Sequence, residues 1–205
     1  MMGTLRALAV ALALVALAGP AHAGPPSDAV REGVDRALQV LDDSGLKGAA
    51  HAAARREQVR EIANRLFDFE EMARRALAVH WNARTPMERQ QFVVLFADLF
   101  ESTYFAKIDI YGGAGGVHYG AEKVEGDDAT VRTTIVTPKG SEASVDYRLL
   151  HRDGRWRVWD VAVEGMSLVS SYRAQFNQII RASSYQDLVQ RLARVGAPKT
   201  VGAGS

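Results

Sequence analysis

The hydrophobic pattern of this chain changes its period near Val117. Before that point apolar side chains recur every three or four residues, which predicts α-helices. After it they alternate with polar side chains, which predicts four strands at about residues 117–124, 129–137, 143–151 and 155–163. Because short Gly-containing turns join these strands, we expect an α+β fold whose four-stranded sheet is an antiparallel meander.

Two helix starts have the residues of a capping box. Thr85 is followed three residues later by Glu88, and Asp68 is followed in the same way by Glu71. The helix that begins at Thr85 is expected to run to about Gly112, a length on the order of 40 Å. It carries a stripe of large apolar side chains, which favours a core face and also suits the wall of a ligand pocket. The part of this stripe that we consider for a pocket is Phe92, Phe96, Phe100, Tyr104, Ile108 and Tyr111.

The segment from Trp156 to Phe176 joins the last strand to a helix. Gly165 marks the corner between them, and Leu168 and Tyr172 share one helix face with Phe176. If the sheet curves, helices on one side of it leave a cavity between the two layers. We therefore expect an apolar pocket that this helix closes.

The first 23 residues have the pattern of a cleaved export signal. Arg6 precedes an apolar run, and Ala21-His22-Ala23 fits the small-residue cleavage rule. The run is shorter than the roughly 20 residues of a membrane span, so we predict cleavage after Ala23 and a periplasmic location. The predicted organisation is a signal peptide at residues 1–23, an α+β domain at 24–195 and a disordered tail at 196–205.

Charge and cysteine content argue against several functions. The chain has 25 Lys and Arg residues against 24 Asp and Glu residues, and its formal net charge is +1. It therefore lacks the general positive field with which proteins capture nucleic acid. Cys is absent, which excludes thiol catalysis and zinc–thiolate sites. Together with the lack of hydrolase, P-loop and dinucleotide motifs, this predicts a protein that is not an enzyme. We also expect a monomer without a metal site.

Four sequence motifs resemble those of one known family. They are Phe67-Asp-Phe-Glu-Glu-Met-Ala-Arg74, Thr85-Pro86, Thr103-Tyr104, and Val163-Glu-Gly-Met-Ser-Leu-Val169 with Tyr172-Arg173. In this order and spacing they resemble the MlaC family of periplasmic phospholipid-binding proteins, also called toluene-tolerance proteins. The resemblance extends from the first predicted helix to about Leu192.

The resemblance implies a carrier with a cone-shaped sheet of the NTF2-like or cystatin-like kind. It implies that phospholipid tails occupy an apolar pocket and that no cofactor is involved. It also implies two membrane partners, an outer-membrane lipoprotein–porin complex and an inner-membrane ABC transporter with MCE-domain subunits. In this family the carrier moves phospholipid between them in the Mla pathway, which maintains the lipid asymmetry of the outer membrane.

We predict that uncharged side chains from the helices and from one sheet face line the pocket. These are Trp81, Phe92, Phe96, Phe100, Tyr104, Ile108, Tyr111, Val131, Ile135, Val145, Tyr147, Val163, Leu168, Tyr172 and Phe176. Arg173 is the predicted headgroup contact, and it would equally suit an acidic partner surface or a solvated helix face.

Two other functions stay open at this point. One is an NTF2-like enzyme that acts on a small apolar substrate, and the other is a structural adaptor without a ligand. The enzyme would need an acid or base from Asp160, Tyr147, Tyr172 or His151. We favour structural roles for all four, because a tyrosine in a core usually keeps its hydroxyl bonded or at a rim, and Asp160 can form hydrogen bonds at the sheet end.

Overall fold

The structure is a computed structural model that describes residues 24–105, 116–136 and 140–196. Within these residues the chain forms six α-helices and five β-strands, so the predicted α+β class is confirmed. The helices are α1 (Pro25–Asp42), α2 (Ala52–Leu66), α3 (Phe69–Leu77), α4 (Pro86–Phe100), α5 (Leu168–Ala182) and α6 (Tyr185–Gly196). The strands are β1 (Gly116–Glu125), β2 (Asp128–Val136), β3 (Glu142–Arg152), β4 (Arg155–Val163) and β5 (Met166–Ser167). The predicted signal peptide and residues 197–205 of the predicted tail lie outside the described residues.

The two predicted capping boxes form to different degrees. At α4 the box is complete, since Thr85 and Glu88 each accept a hydrogen bond from the other's backbone N–H. At α3 only half of it forms: Asp68 accepts from the Glu71 N–H at 3.0 Å, and the Glu71 carboxylate binds Arg74 and Arg75 instead. The short-range sequence pattern thus predicts where both helices begin. In α3 the Glu71 carboxylate forms stronger, charge-assisted hydrogen bonds with the two arginines in place of the second capping bond.

The sheet is an antiparallel meander in the order β1-β2-β3-β4-β5, so the prediction of four strands was wrong by one. Glu164 and Gly165 both have positive φ, at 50° and 76°. Two such residues in succession are typical of a tight hairpin turn. The chain therefore folds back before α5 begins, and Met166 pairs with Val163.

One face of the sheet is buried, and it carries the sheet residues that were predicted to share one face. Val131 lies opposite Tyr147, and Thr133 lies opposite Val145. All four side chains are buried, whereas Arg132 and Arg148 on the other face are exposed. We call the buried side the inner face.

Two irregularities interrupt this alternation. The register between β1 and β2 shifts between Tyr119 and Glu122, and that between β3 and β4 shifts after Arg148. The second shift leaves Trp159 as an extra residue, because Asp160 pairs with Arg148 while Val158 already pairs with Leu149. Such bulges bend a strand and redirect its side chains.

The helices pack in pairs beside the sheet: α1 with α2, α3 with α5, and α4 with α6. The N-terminus of α1 is anchored to the sheet, because the Ser27 N–H donates to the Glu122 carboxylate at 2.8 Å. A backbone hydrogen bond of 2.8 Å from Asp68 N–H to the Val158 carbonyl fixes the start of α3 to β4. Among the described helices, none is long and apolar enough to cross a membrane.

The helix predicted to run from Thr85 to about Gly112 does not continue as a regular α-helix. α4 ends at Phe100, and a π-helical turn follows at Glu101–Phe105. The aromatic stripe has a spacing of four residues, which drifts around a helix of 3.6 residues per turn. A wider turn brings Tyr104 back beside Phe100, with ring centroids 4.8 Å apart.

Candidate functional site

An aromatic cluster joins α4 to α5. The Phe92 ring meets the Phe176 ring edge to face at 5.7 Å, and the Phe96 and Tyr172 rings meet in the same way at 5.4 Å. These are the preferred distances and orientations of aromatic pairs in protein cores. Phe92 and Phe96 are completely buried in this structure. The cluster therefore forms a packed wall between the two helices.

A second aromatic group lies at the end of α4. Phe100 contacts Phe67 and Phe69, with ring centroids 5.3 and 5.9 Å away. Tyr104 extends this group toward α5, and the Tyr172 hydroxyl donates to the Tyr104 hydroxyl across 3.5 Å. The two aromatic groups are thereby continuous.

Burial along the inner face of the sheet is uneven. At one end Leu149 and Val158 are completely buried, as is Val131 near the middle. At the other end Ile135 and Val163 are only partly buried, although both pack against the core. Apolar side chains are therefore accessible at this end, which we call the open end of the sheet. Leu168 and Tyr104 are also partly buried and pack against the same core.

The structure brings most of the predicted pocket residues into one apolar cluster. Those inside it are Phe92, Phe96, Phe100, Val131, Val145, Tyr147, Tyr172 and Phe176, and those packed against it are Tyr104, Ile135, Val163 and Leu168. Trp81 is also in the cluster, but it stacks under Arg89 and lines a different, arginine-rich cleft. Ile108 and Tyr111 lie outside the described residues. For all of these side chains, contact with a ligand stays a prediction.

The polar groups of this cluster are uncharged near neutral pH. Burial raises the pKa of Tyr147 to about 12, despite a hydrogen bond with Thr133. Burial and the contact with Tyr172 raise the pKa of Tyr104 as well. Burial also raises the pKa of Tyr119 on β1, helped by the negative charge of Asp35. An interior of aromatic rings, aliphatic side chains and neutral hydroxyls suits a hydrocarbon chain.

The candidate acids and bases of an enzyme have structural partners. Asp160 is completely buried, and its carboxylate accepts from the Ser167 hydroxyl at 2.6 Å, the Val169 N–H at 3.1 Å and Arg148 at 3.2 Å. It thus links β3 and β4 to the start of α5. His151 is exposed, and its ring packs on the Trp156 ring with centroids 5.0 Å apart. Among the described residues, no group of three or more His, Asp or Glu side chains could hold a metal ion.

Arg173 lies in a cleft between the end of α3 and the start of α5. Arg74, Arg75 and Arg148 line the same cleft, together with Trp159. The sequence analysis did not predict that Arg148 lies close to Arg75 and Trp159. This proximity depends on the bulge at Trp159, for which the alternation of apolar residues contains no signal.

Fold and site together describe an α+β protein whose apolar cluster is completely buried near one end of the sheet and partly exposed at the other. The family model of the MlaC protein matches residues 31–194, and the chain belongs to the MlaC family. A solved structure of the phospholipid-binding protein from Ralstonia solanacearum, in complex with a phospholipid, is similar to it. The two are 25% identical in sequence with a TM-score of 0.73, and the match covers 85% of this chain and 97% of the other. These relations point to a binding or transport protein and not to an enzyme.

Proposed function

We propose that this protein is a periplasmic phospholipid carrier whose acyl-chain pocket opens at the open end of the sheet. The observation that carries the proposal is the gradient of burial on the inner face. Completely buried Leu149 and Val158 close one end, and Ile135 and Val163 are partly accessible at the other. Membership of the MlaC family and the similarity to a phospholipid-bound structure support phospholipid as the ligand.

The energetics of such a ligand define how the carrier must work. Burying one methylene group stabilises a complex by about 0.8 kcal/mol, so one acyl chain contributes on the order of 10 kcal/mol relative to water. Release into water is correspondingly slow. Transfer to a second apolar environment avoids most of this cost, because the acyl chain never becomes hydrated. Uptake and release therefore require contact with a partner that offers a continuous apolar path.

The partners and the compartment are part of the same proposal, which membership of the MlaC family supports. Residues 1–23 act as the signal peptide, and the mature domain of residues 24–195 is monomeric in the periplasm, followed by a short tail. It exchanges phospholipid with an outer-membrane lipoprotein–porin complex and with an inner-membrane ABC transporter that contains MCE-domain subunits. This exchange maintains the lipid asymmetry of the outer membrane.

The alternative of an NTF2-like enzyme has weaker support. A general base must be available to the substrate. Asp160 already accepts three hydrogen bonds from the protein, and the raised pKa of Tyr147 keeps its hydroxyl protonated. The geometry of these two residues therefore favours binding over catalysis.

Mass spectrometry tests the proposal directly. The mature protein is purified without detergent, and its mass is compared under native and denaturing conditions, with lipid extraction to identify what is lost. We expect phospholipid at close to one molecule per protein and transfer of labelled phospholipid between vesicles. Protein that is folded yet consistently empty, and that moves no lipid between vesicles, would refute the carrier.

A further inference from the structure

Four arginine side chains line one cleft on the surface of the described part of the chain. It has a volume of about 470 Å³ and lies between the end of α3, the outer face of β3 and β4, and the start of α5. We call it the arginine cleft. Its lining includes the four arginines Arg74, Arg75, Arg148 and Arg173, and none of its lining residues is acidic.

Buried carboxylates hold three of these arginines in place. Glu71 binds Arg74 and Arg75 at 2.5 and 2.6 Å, and Asp160 binds Arg148 at 3.2 Å. The two carboxylate side chains are 3% and 1% exposed, whereas the three arginine side chains remain 34–49% exposed. A buried carboxylate thus fixes the orientation of each guanidinium, and the exposed N–H groups can still donate hydrogen bonds to a ligand. Four positive charges against two negative ones leave the cleft positive.

The fourth arginine has a different environment. Arg173 is exposed, and its side chain donates to the Ser170 hydroxyl at 3.0 Å. Among the described residues it has no carboxylate partner within salt-bridge distance. It is therefore the arginine most available to an acidic ligand.

Two tryptophans form the apolar part of the cleft. The Arg75 guanidinium stacks over the Trp159 ring, 3.7 Å from its centroid, and Trp81 lines the cleft nearby. The Trp159 indole N–H is buried and has no acceptor among the described residues. Arginine and tryptophan are the residue types most enriched at the energetic centres of protein–protein interfaces.

An exposed apolar side chain stands beside the arginines. Ala78 ends α3 with a positive φ of 48°, and the following Val79 is 81% exposed. A shallow depression of about 300 Å³ lies on its other side, next to Leu77 and Ala174, and it shares Val79 and Arg173 with the arginine cleft. Val79 is therefore open to contact with a ligand that occupies the arginine cleft.

From these contacts we infer that the arginine cleft docks an acidic segment of a partner protein, with an apolar residue of that segment packed against Val79. The cleft contributes donors and positive charge, so its ligand must contribute acceptors and negative charge. Carboxylates spaced along a peptide can reach several fixed guanidinium groups at once, and Val79 matches a peptide better than an inorganic ion. A flat membrane surface fits less well, because the arginines line a recess.

This inference goes beyond the proposed lipid transport and does not depend on it, since the arginine cleft lies on the outer side of β3 and β4. Phospholipid content is therefore measured in the same samples. A protein that binds lipid without binding acidic peptides would refute the docking surface alone.

The experiment follows the three tryptophan indole N–H signals in an NMR titration of ¹⁵N-labelled mature protein. Trp81 and Trp159 line the arginine cleft, whereas Trp156 lies in another part of the surface and is the internal control. The probe is a synthetic peptide of about ten residues that contains two Glu-Leu-Glu units separated by Gly-Ser. The matched peptide replaces each Glu with Gln, and inorganic phosphate and phosphatidylglycerol vesicles are titrated separately.

We expect the acidic peptide to shift the Trp81 and Trp159 signals in a saturable manner and to leave Trp156 in place. Arg173→Gln should weaken this binding about tenfold, which corresponds to about 1.4 kcal/mol. Arg181→Gln, an exposed position on the same helix outside the cleft, is the matched control and should bind normally. Val79→Ser gives a second test, because it changes an exposed side chain and should also weaken binding.

Three results would overturn the inference. The first is equal binding of the Glu and Gln peptides, and the second is the absence of a saturable shift with the acidic peptide. The third is a shift of the Trp81 and Trp159 signals with phosphate or with vesicles but not with the acidic peptide. That result would make the arginine cleft a site for small anions or for a membrane surface.

Discussion

The rings of Phe96 and Tyr172 meet edge to face with their centroids 5.4 Å apart, and this contact joins α4 to α5. Phe96 also contacts Phe176 at 6.0 Å. One helix precedes the sheet in the sequence and the other follows it, so their contact packs the two helical parts of the chain together. Phe96 is therefore a residue of the core as well as a predicted neighbour of the ligand.

Phe96→Ala should lower the free energy of unfolding by about 3–5 kcal/mol, because it removes a completely buried ring and leaves a cavity. Urea unfolding of lipid-free protein measures this loss. Val94→Ala is the matched control, since Val94 lies on the same helix and is 56% exposed; its effect should stay within about 0.5 kcal/mol. Equal effects of the two substitutions would contradict the assignment of Phe96 to the core.

Ile135→Trp should reduce the amount of co-purified phospholipid severalfold while the protein still folds. Ile135 is partly buried at the open end of the sheet, so a larger ring there would obstruct the proposed pocket entrance with little strain in the core. The measurement is the molar ratio of phospholipid to protein after lipid extraction.

Val124→Trp is the control for this substitution. Val124 lies at the opposite end of the sheet on β1 and is 49% exposed. A tryptophan there adds the same bulk without approaching the open end, so phospholipid content should not change. If both variants lost phospholipid equally, or if Ile135→Trp kept a full complement, the entrance would have to lie elsewhere.

Features that depend on short-range sequence were predictable. The start of α4 at Thr85 follows from capping chemistry, and the position of Val131 and Tyr147 on one sheet face follows from alternation. The apolar cluster was predictable for the same reason, since it collects the large side chains of these elements. Whether each of its members touches a ligand depends on a cavity shape that periodicity does not determine.

Features that depend on backbone irregularities were not predictable. β5 requires a positive φ at Glu164, a residue type that seldom adopts it, and the hydrogen bonds between Glu164 and Ser144 stabilise that turn. The bulge at Trp159 likewise places this ring under Arg75. The arginine cleft therefore exists because of tertiary contacts between α3, α5 and a distorted strand.

Asp160→Asn should destabilise the fold without abolishing lipid binding in the molecules that fold. The substitution removes the negative charge that holds Arg148 and turns an amide N–H₂ toward groups that donate hydrogen bonds. We expect a loss of about 1–3 kcal/mol, because a buried donor is left without an acceptor. Thermal unfolding measures this loss, and lipid extraction measures binding. Full stability accompanied by the loss of a catalysed reaction would favour the enzyme.

A fall in pH should lower the free energy of unfolding, because it protonates Glu71. Burial alone would raise the pKa of this carboxyl, but hydrogen bonds from Arg74 and Arg75 outweigh burial and lower the pKa to about 2, from an ordinary value of 4.5. A group whose pKa is lower in the folded state stabilises the fold above its ordinary pKa. That contribution is lost as the pH falls toward the folded-state pKa.

The corresponding substitution is Glu71→Gln. Near neutral pH it should cost on the order of 3 kcal/mol relative to the unchanged protein, and this difference should shrink steadily as the pH falls from about 5 to about 2. Thermal unfolding at a series of pH values measures it. Glu70→Gln, at the neighbouring exposed position, is the control and should stay within about 0.5 kcal/mol at each pH. If the stability difference between Glu71→Gln and the unchanged protein did not depend on pH, Glu71 would stabilise the fold through packing and not through its charge.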